Sequence, residues 1–174
     1  EQLERTGEIA NVGGWEFDLQ TNRRFWSAET YRILELDPPV TPEFESDFNY
    51  KFYAPASAEI IQNTINEGIK NGKPYDLELQ MITAKGRTIW VREKGTFLME
   101  KGVAVKIFGV IQDITGRKQS ELSLQLAHQS YFDIFNSVSE AIYILDETGT
   151  FIDVNKGAEK MYLCSREELI GQTP

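Results

Sequence analysis

Asp113-Ile114-Thr115 sets a carboxylate and a hydroxyl two residues apart at a change of pattern. Upstream, Gly109-Val110-Ile111-Gln112 alternates like a strand; downstream, Gly116-Arg117-Lys118-Gln119 is polar and helix-forming. A strand-end carboxylate and a short hydroxyl can bond to backbone groups at such a junction and fix the angle at which the helix leaves. That is mechanical rather than catalytic chemistry, a way for one domain to move the next. Other reactive side chains are sparse: one histidine, His128, and one cysteine, Cys164. No nucleophile–base pair, phosphate-cradling glycine loop or metal cluster is legible, which places an enzyme last among the function classes. Glu43, Glu45 and Asp47 crowd a proline-rich stretch without the glycine and spacing of a calcium loop, and read as a solvated acidic loop.

Composition sets the outer limits. A chain of 174 residues with 41% hydrophobic and 11% aromatic side chains can bury a core and sits between one and two domains. A net charge of -9 argues against a nucleic-acid surface. A single cysteine excludes an internal disulfide framework and fits a reducing, cytoplasmic setting. No apolar run approaches the ~18 residues of a membrane span, so no direct membrane contact is expected from these residues. The first and last residues, Glu1 and Pro174, suggest a piece of a longer protein, whose other parts could be membrane-anchored.

The elements that must position the junction follow from periodicity. Residues 1–12 read as a short amphipathic helix ended by Gly13-Gly14. Trp15 to Leu19 alternates at period two, Gln20-Thr21-Asn22 turns, and Arg24 to Trp26 returns. Ser27 is an N-cap for a helix from Ala28 to Leu36. Pro38, Pro39 and Pro42 make residues 37–56 a loop with short helical turns. Ile61, Ile65 and Ile69 stripe a helix from Ser57 that ends at Asn71-Gly72. Three meandering strands follow: Tyr75 to Met81, Thr88 to Leu98 and Val103 to Ile114. The sum is an α+β fold, a five-stranded antiparallel sheet with its helices on one face.

Beyond Thr115, Leu122, Leu126 and Tyr131 or Phe132 space a narrow apolar stripe on a helix running to Asn136, suited to a partner helix or a sheet edge. Then the opening returns. Sliding the chain forward by 128 lays Asp18 on Asp146, Ser27 on Asn155 and Ile33 on Met161. Ala141 to Asp146, Glu147-Thr148-Gly149, Thr150 to Val154 and a helix over 156–163 repeat strand, turn, strand, cap and helix; Ser165 to Glu168 is a capping box. The copy lacks its last three strands, so residues 137–174 are expected to fold poorly alone or to be stabilised by another chain.

In this order and spacing, Gly14-Trp15-Glu16-Phe17-Asp18, Phe25-Trp26-Ser27, Leu77-Glu78-Leu79, Gly86 to Arg92 and Gly109 to Lys118 resemble a PAS domain with its C-terminal PAC segment. Ile144-Leu145-Asp146, Gly149, Asp153-Val154-Asn155 and Glu167 to Gly171 resemble the start of a second. The resemblance implies a flanking helix over 1–8, a PAS domain over 9–115, a connector helix over 116–136 and the first part of another PAS domain over 137–174. It implies a pocket between sheet and helices, a place in a signalling protein such as a sensor histidine kinase or a diguanylate cyclase, and a relay role for Asp113 and Thr115. Lys118 stands where a full capping box would carry Glu, predicting a softer helix start.

Cofactor classes are tested by the residues they demand. Haem-binding members take a proximal His from the long helix, here 57–71, whereas His128 lies in the connector; Met81 and Met99 are the remaining axial alternatives. Covalent flavin chemistry needs an Asn-Cys segment after the Ile-Gly element, a place held by Thr173-Pro174, and Cys164 reads as a small buried hydrophobe at a helix end. The cofactor is therefore left unassigned. For an organic ligand, alternation points Leu77, Leu79, Met81, Ile107 and Ile111 at Ile61 and Ile65, with Tyr31 and Arg92 as polar groups. The same residues read equally well as packed core, and Trp15, Trp26 and Trp90 as sheet-face packing. The expected protein is a non-catalytic sensor, probed by a ligand or partner and acting through a homodimer on a downstream effector. The competing reading is a ligand-free dimerisation spacer. A closed polar-and-apolar cavity would favour the sensor, and exposed apolar residues on the connector and the sheet's outer face the spacer.

Overall fold

Strand β1, Val12–Asp18, opens the described part of the chain, which in the computed structural model comprises residues 11–37 and 50–174. Val12 thus belongs to a strand and not to a helix, and Gly13-Gly14 lie inside that strand. Gly13 is required by closeness: a Cβ there would sit 2.4 Å from Thr30 Oγ1 and 2.7 Å from Thr30 N. Most of the expected N-terminal helix and of the proline-rich loop, with Glu43, Glu45 and Asp47, lies outside the described residues.

Strand β2, Arg23–Trp26, returns beside β1 after a turn that Asp18 closes, its Oδ1 accepting the N–H groups of Gln20 and Thr21. Helix α1, Ala28–Ile33, is capped by Ser27 and stops three residues short of the expected end. Leu34 closes it and Glu35 takes a left-handed φ of 56°, which a helix cannot continue. After a 3₁₀ turn at Tyr50–Phe52, helix α2, Pro55–Asn71, begins two residues before Ser57, with Pro55 tolerated in the first turn, and ends on left-handed Gly72. Strands β3, Tyr75–Ile82, β4, Thr88–Glu100, and β5, Val103–Asp113, complete an antiparallel sheet of order β2-β1-β5-β4-β3. Its inner face buries Ile61, Ile65, Leu79, Ile89, Val91 and Ile107 in one core.

Helix α3, Thr115–Ser137, follows directly. The chain divides into two compact units, with the boundary between Lys118 and Gln119. The second holds β6, Tyr143–Leu145, β7, Phe151–Val154, α4, Lys156–Tyr162, and α5, Arg166–Leu169, around Phe151, Val154, Ala158 and Leu169. All three β6 residues are exposed.

The internal repeat recurs bond for bond at its helix cap. Ser27 Oγ accepts the N–H groups of Gly14 and Thr30, and Asn155 Oδ1, 128 residues on, accepts those of Ile142 and Ala158. Asp146 likewise closes its turn, accepting the N–H of Thr148 as Asp18 accepts that of Gln20, but its second donor, Thr150, lies one residue beyond the match to Thr21. Cys164 departs from expectation: it is exposed, because the preceding Leu163 adopts a left-handed φ of 55° and turns the chain out of α4.

Candidate functional site

The inner face of the first unit carries one fully buried carboxylate. Glu93 shares its strand parity with Ile89 and Val91, so the pleat turns it inward, where it is 2% exposed. Leaving a carboxylate so buried costs several kcal/mol unless donors reach it. Two do. Tyr53 Oη donates to Oε2 at 2.6 Å and Tyr75 Oη to Oε1 at 2.8 Å. Tyr53 is held over the site by a bridge to Met81, while Ala54 N–H donates to the Gln80 carbonyl at 2.9 Å. Tyr75 lies directly across from Gly95 and crosses it, since a Cβ on Gly95 would come within 2.5 Å of the Tyr75 ring. Burial pushes the Glu93 carboxyl up and the two tyrosine hydrogen bonds pull it back. Burial first, and the Glu93 charge second, push both phenols up, so they remain protonated donors.

Beside this group lies a cavity of about 40 Å³. Trp15, Phe17, Trp26, Phe52 and Tyr53 form aromatic walls, with Glu93 and Arg24 among the polar lining. The Arg24 guanidinium sits over the Trp26 ring, 5.2 Å from its centroid. The volume holds roughly three water-sized groups.

Of the residues singled out by alternation, Met81 and Ile111 line the cavity. Ile61, Ile65, Leu79 and Ile107 are packed core, and Leu77 is half-buried against it. Tyr31 meets Trp26 edge-on at 5.4 Å. Arg92 does not join them. Its even position on β4 turns it to the opposite face, where it pairs with Asp76 at 2.6–2.7 Å. Glu93, Tyr53 and Tyr75 were missed, although Glu93 betrays itself in sequence: counting by two from Ile89 sets a charge on the apolar side, which demands donors.

The junction at the end of β5 is bonded on both sides. Thr115 Oγ1 accepts the Trp90 N–H at 2.9 Å and donates to the Trp90 carbonyl at 3.4 Å, while Ile114 N–H donates to the same carbonyl at 2.8 Å. Asp113 Oδ1 accepts the Thr115 N–H at 2.8 Å. One turn on, Arg117 and Lys118 grip Glu78 at 2.5 and 2.6 Å, and Lys118 also lies over the Trp90 ring at 5.2 Å. Lysine thus ties the first turn of α3 to the sheet's outer face. The Lys118 and Arg117 hydrogen bonds hold the exposed Glu78 carboxyl below its ordinary range. Glu93 pairs with Ile111 and Val91 with Asp113, so cavity and junction share two neighbouring strands. Among the described residues no helix is long and apolar enough to cross a membrane.

Comparison with known proteins agrees with this geometry. A model of the PAS fold matches residues 23–111, half of the chain, and a second PAS-fold model matches residues 135–174. The chain belongs to the PAS-fold family, and its first unit is a PAS sensory domain. It is 24% identical over 172 residues to the probable diguanylate cyclase DgcE of Escherichia coli, covering 98% of this chain and 15% of that protein. It is 24% identical over 162 residues to the sensor protein FixL of Bradyrhizobium diazoefficiens, covering 92% and 32%. The chain thus spans less than a third of either relative. A sensory box histidine kinase/response regulator structure from Burkholderia thailandensis shares the fold with a TM-score of 0.62 at 20% identity, covering 75% of this chain and 97% of that one.

Proposed function

We propose that the chain is a non-catalytic regulatory module of a signal-transduction protein, a sensor histidine kinase, in which a change in the first PAS unit passes through Asp113-Ile114-Thr115 into α3 and on to a downstream effector. The observation that carries this reading is the two-way hydrogen bonding of Thr115 to the Trp90 main chain. It couples the start of α3 to the strand that also bears Glu93, so a displacement of β4 is felt at the first helical turn. Relay requires two arrangements of that turn whose balance the pocket shifts. The likeness to FixL supports a kinase parent; the DgcE match, over nearly the whole chain, supports a diguanylate cyclase as the second reading.

The cavity supports a small-molecule ligand, while exposed Phe25, Phe108 and Val110 on the sheet's outer face and exposed Leu122, Leu124 and Leu126 on α3 support a homodimer. The two features are compatible, since a dimer supplies the second chain against which the helix moves. With the chain joined to a histidine kinase catalytic core, Asp113→Ala is expected to change autophosphorylation by about fivefold or more. Its effect on the thermal unfolding of the first unit should be small. Equal loss of stability and output would sink the relay assignment.

A further inference from the structure

We infer that the cavity beside Glu93 is a binding site for a small organic cation, the ammonium head of a primary amine. The inference rests on the sensory reading above and names the ligand class of the same pocket. Glu93 is a fully buried acid on the inner face of β4. A carboxylate offers about four acceptor positions, and Tyr53 and Tyr75 use two, leaving room for further donors. Among the described residues its partners are these two neutral hydroxyls, so its charge is solvated but not balanced. An ammonium group supplies both missing things, donors and charge.

The walls suit the same ligand. Trp15, Phe17, Trp26, Phe52 and Tyr53 present aromatic surface, and a cation over such faces gains electrostatic attraction that grows on desolvation. Trp26 already holds a guanidinium over its ring. Arg24 enters the same lining from β2, three strands from β4 in the sheet order, with its guanidinium over the Trp26 ring. A volume of about 40 Å³ admits a headgroup such as methylammonium and excludes a planar cofactor without rearrangement. Binding requires an ionised Glu93, and the groups facing that carboxyl are Tyr53, Tyr75 and, more distantly, Tyr50, all of which stay neutral. Glu16 and Arg24 are the other charged residues of the lining. Affinity should therefore rise with pH as Glu93 loses its proton.

The test is calorimetric titration of the 174-residue chain with methylammonium chloride at fixed ionic strength, with sodium methanesulfonate as the anionic counterpart. Saturable methylammonium binding is expected, tightening from about pH 5 to about pH 8. Glu93→Gln should weaken it by roughly thirtyfold, and Tyr75→Phe, which removes a hydrogen bond that pulls the Glu93 carboxyl down, should move the tightening to higher pH. No methylammonium binding, affinity flat with pH, equal affinity in Glu93→Gln, or preference for methanesulfonate would each overturn the assignment. The pH series uses the native chain and decides the matter even if a variant fails to fold. The relay reading is judged separately by the Asp113 substitution, which needs no ligand.

Discussion

Glu93 and Thr115 carry the account at the scale of single residues. Burial raises the Glu93 carboxyl against the pull of two tyrosines, so the folded state holds this proton more tightly than the unfolded chain. Its contribution to stability is then complete below the ordinary glutamate value of 4.5 and fades as pH rises through the folded value. Glutamine at this position cannot lose a proton. The stability difference between Glu93→Gln and the native chain should move in favour of glutamine from about pH 4 to pH 8, read by urea unfolding at each pH. A constant difference, or one that favours glutamate as pH rises, would contradict the burial argument. Asp76 and Glu78, lowered by their Arg and Lys partners, push total stability the other way but are common to both proteins and cancel. For Thr115, valine keeps the shape and deletes the hydroxyl, leaving the Trp90 N–H without its acceptor. A loss of about 1–3 kcal/mol is expected in the same unfolding measurement. A neutral substitution would mean that water replaces the hydroxyl.

Among the elements, close approaches matter most. Replacing Gly13 by alanine would drive a Cβ into the Thr30 main chain, which cannot swing aside as a side chain would. The expected cost is about 1–3 kcal/mol, seen as a lowered Tm. Gly95→Ala instead meets the Tyr75 ring, a movable side chain, and should displace its hydroxyl from Glu93 with a smaller loss. These elements were largely legible beforehand. Alternation from Tyr75 to Met81 and the Ile61-Ile65-Ile69 spacing place β3 and α2 because one buried face leaves no other register. What escaped depends on contacts from distant residues. The start of β1 at Val12 rests on Thr30 accepting no Cβ, and the helix stop at Ile33 on the left-handed Glu35. Arg92 and Glu93 show the same limit within the site. Period two alone assigns Arg92 outward, but chemical expectation favoured a polar pocket group, and the tyrosines that make Glu93 tolerable come from residues 40 and 18 positions away.

At the scale of the whole molecule, the second unit repeats the first bond for bond at its cap and closes its turn on the matching aspartate, so the junction at Thr115 stands between two copies of one design. The helix that leaves it keeps Leu122, Leu124 and Leu126 exposed while its first turn is bonded to β4 and Glu78. On the relay proposed above, a signal arising in the pocket would leave the first unit through this anchored turn. The most direct test is a double-mutant cycle of Glu93→Gln and Thr115→Val, read by amide hydrogen exchange in residues 115–121 of α3. The relay predicts that Glu93→Gln changes exchange there in the native background and that Thr115→Val abolishes this dependence, a coupling of about 1 kcal/mol or more. Additive effects, with the α3 response to Glu93→Gln intact in the Thr115→Val background, would contradict it.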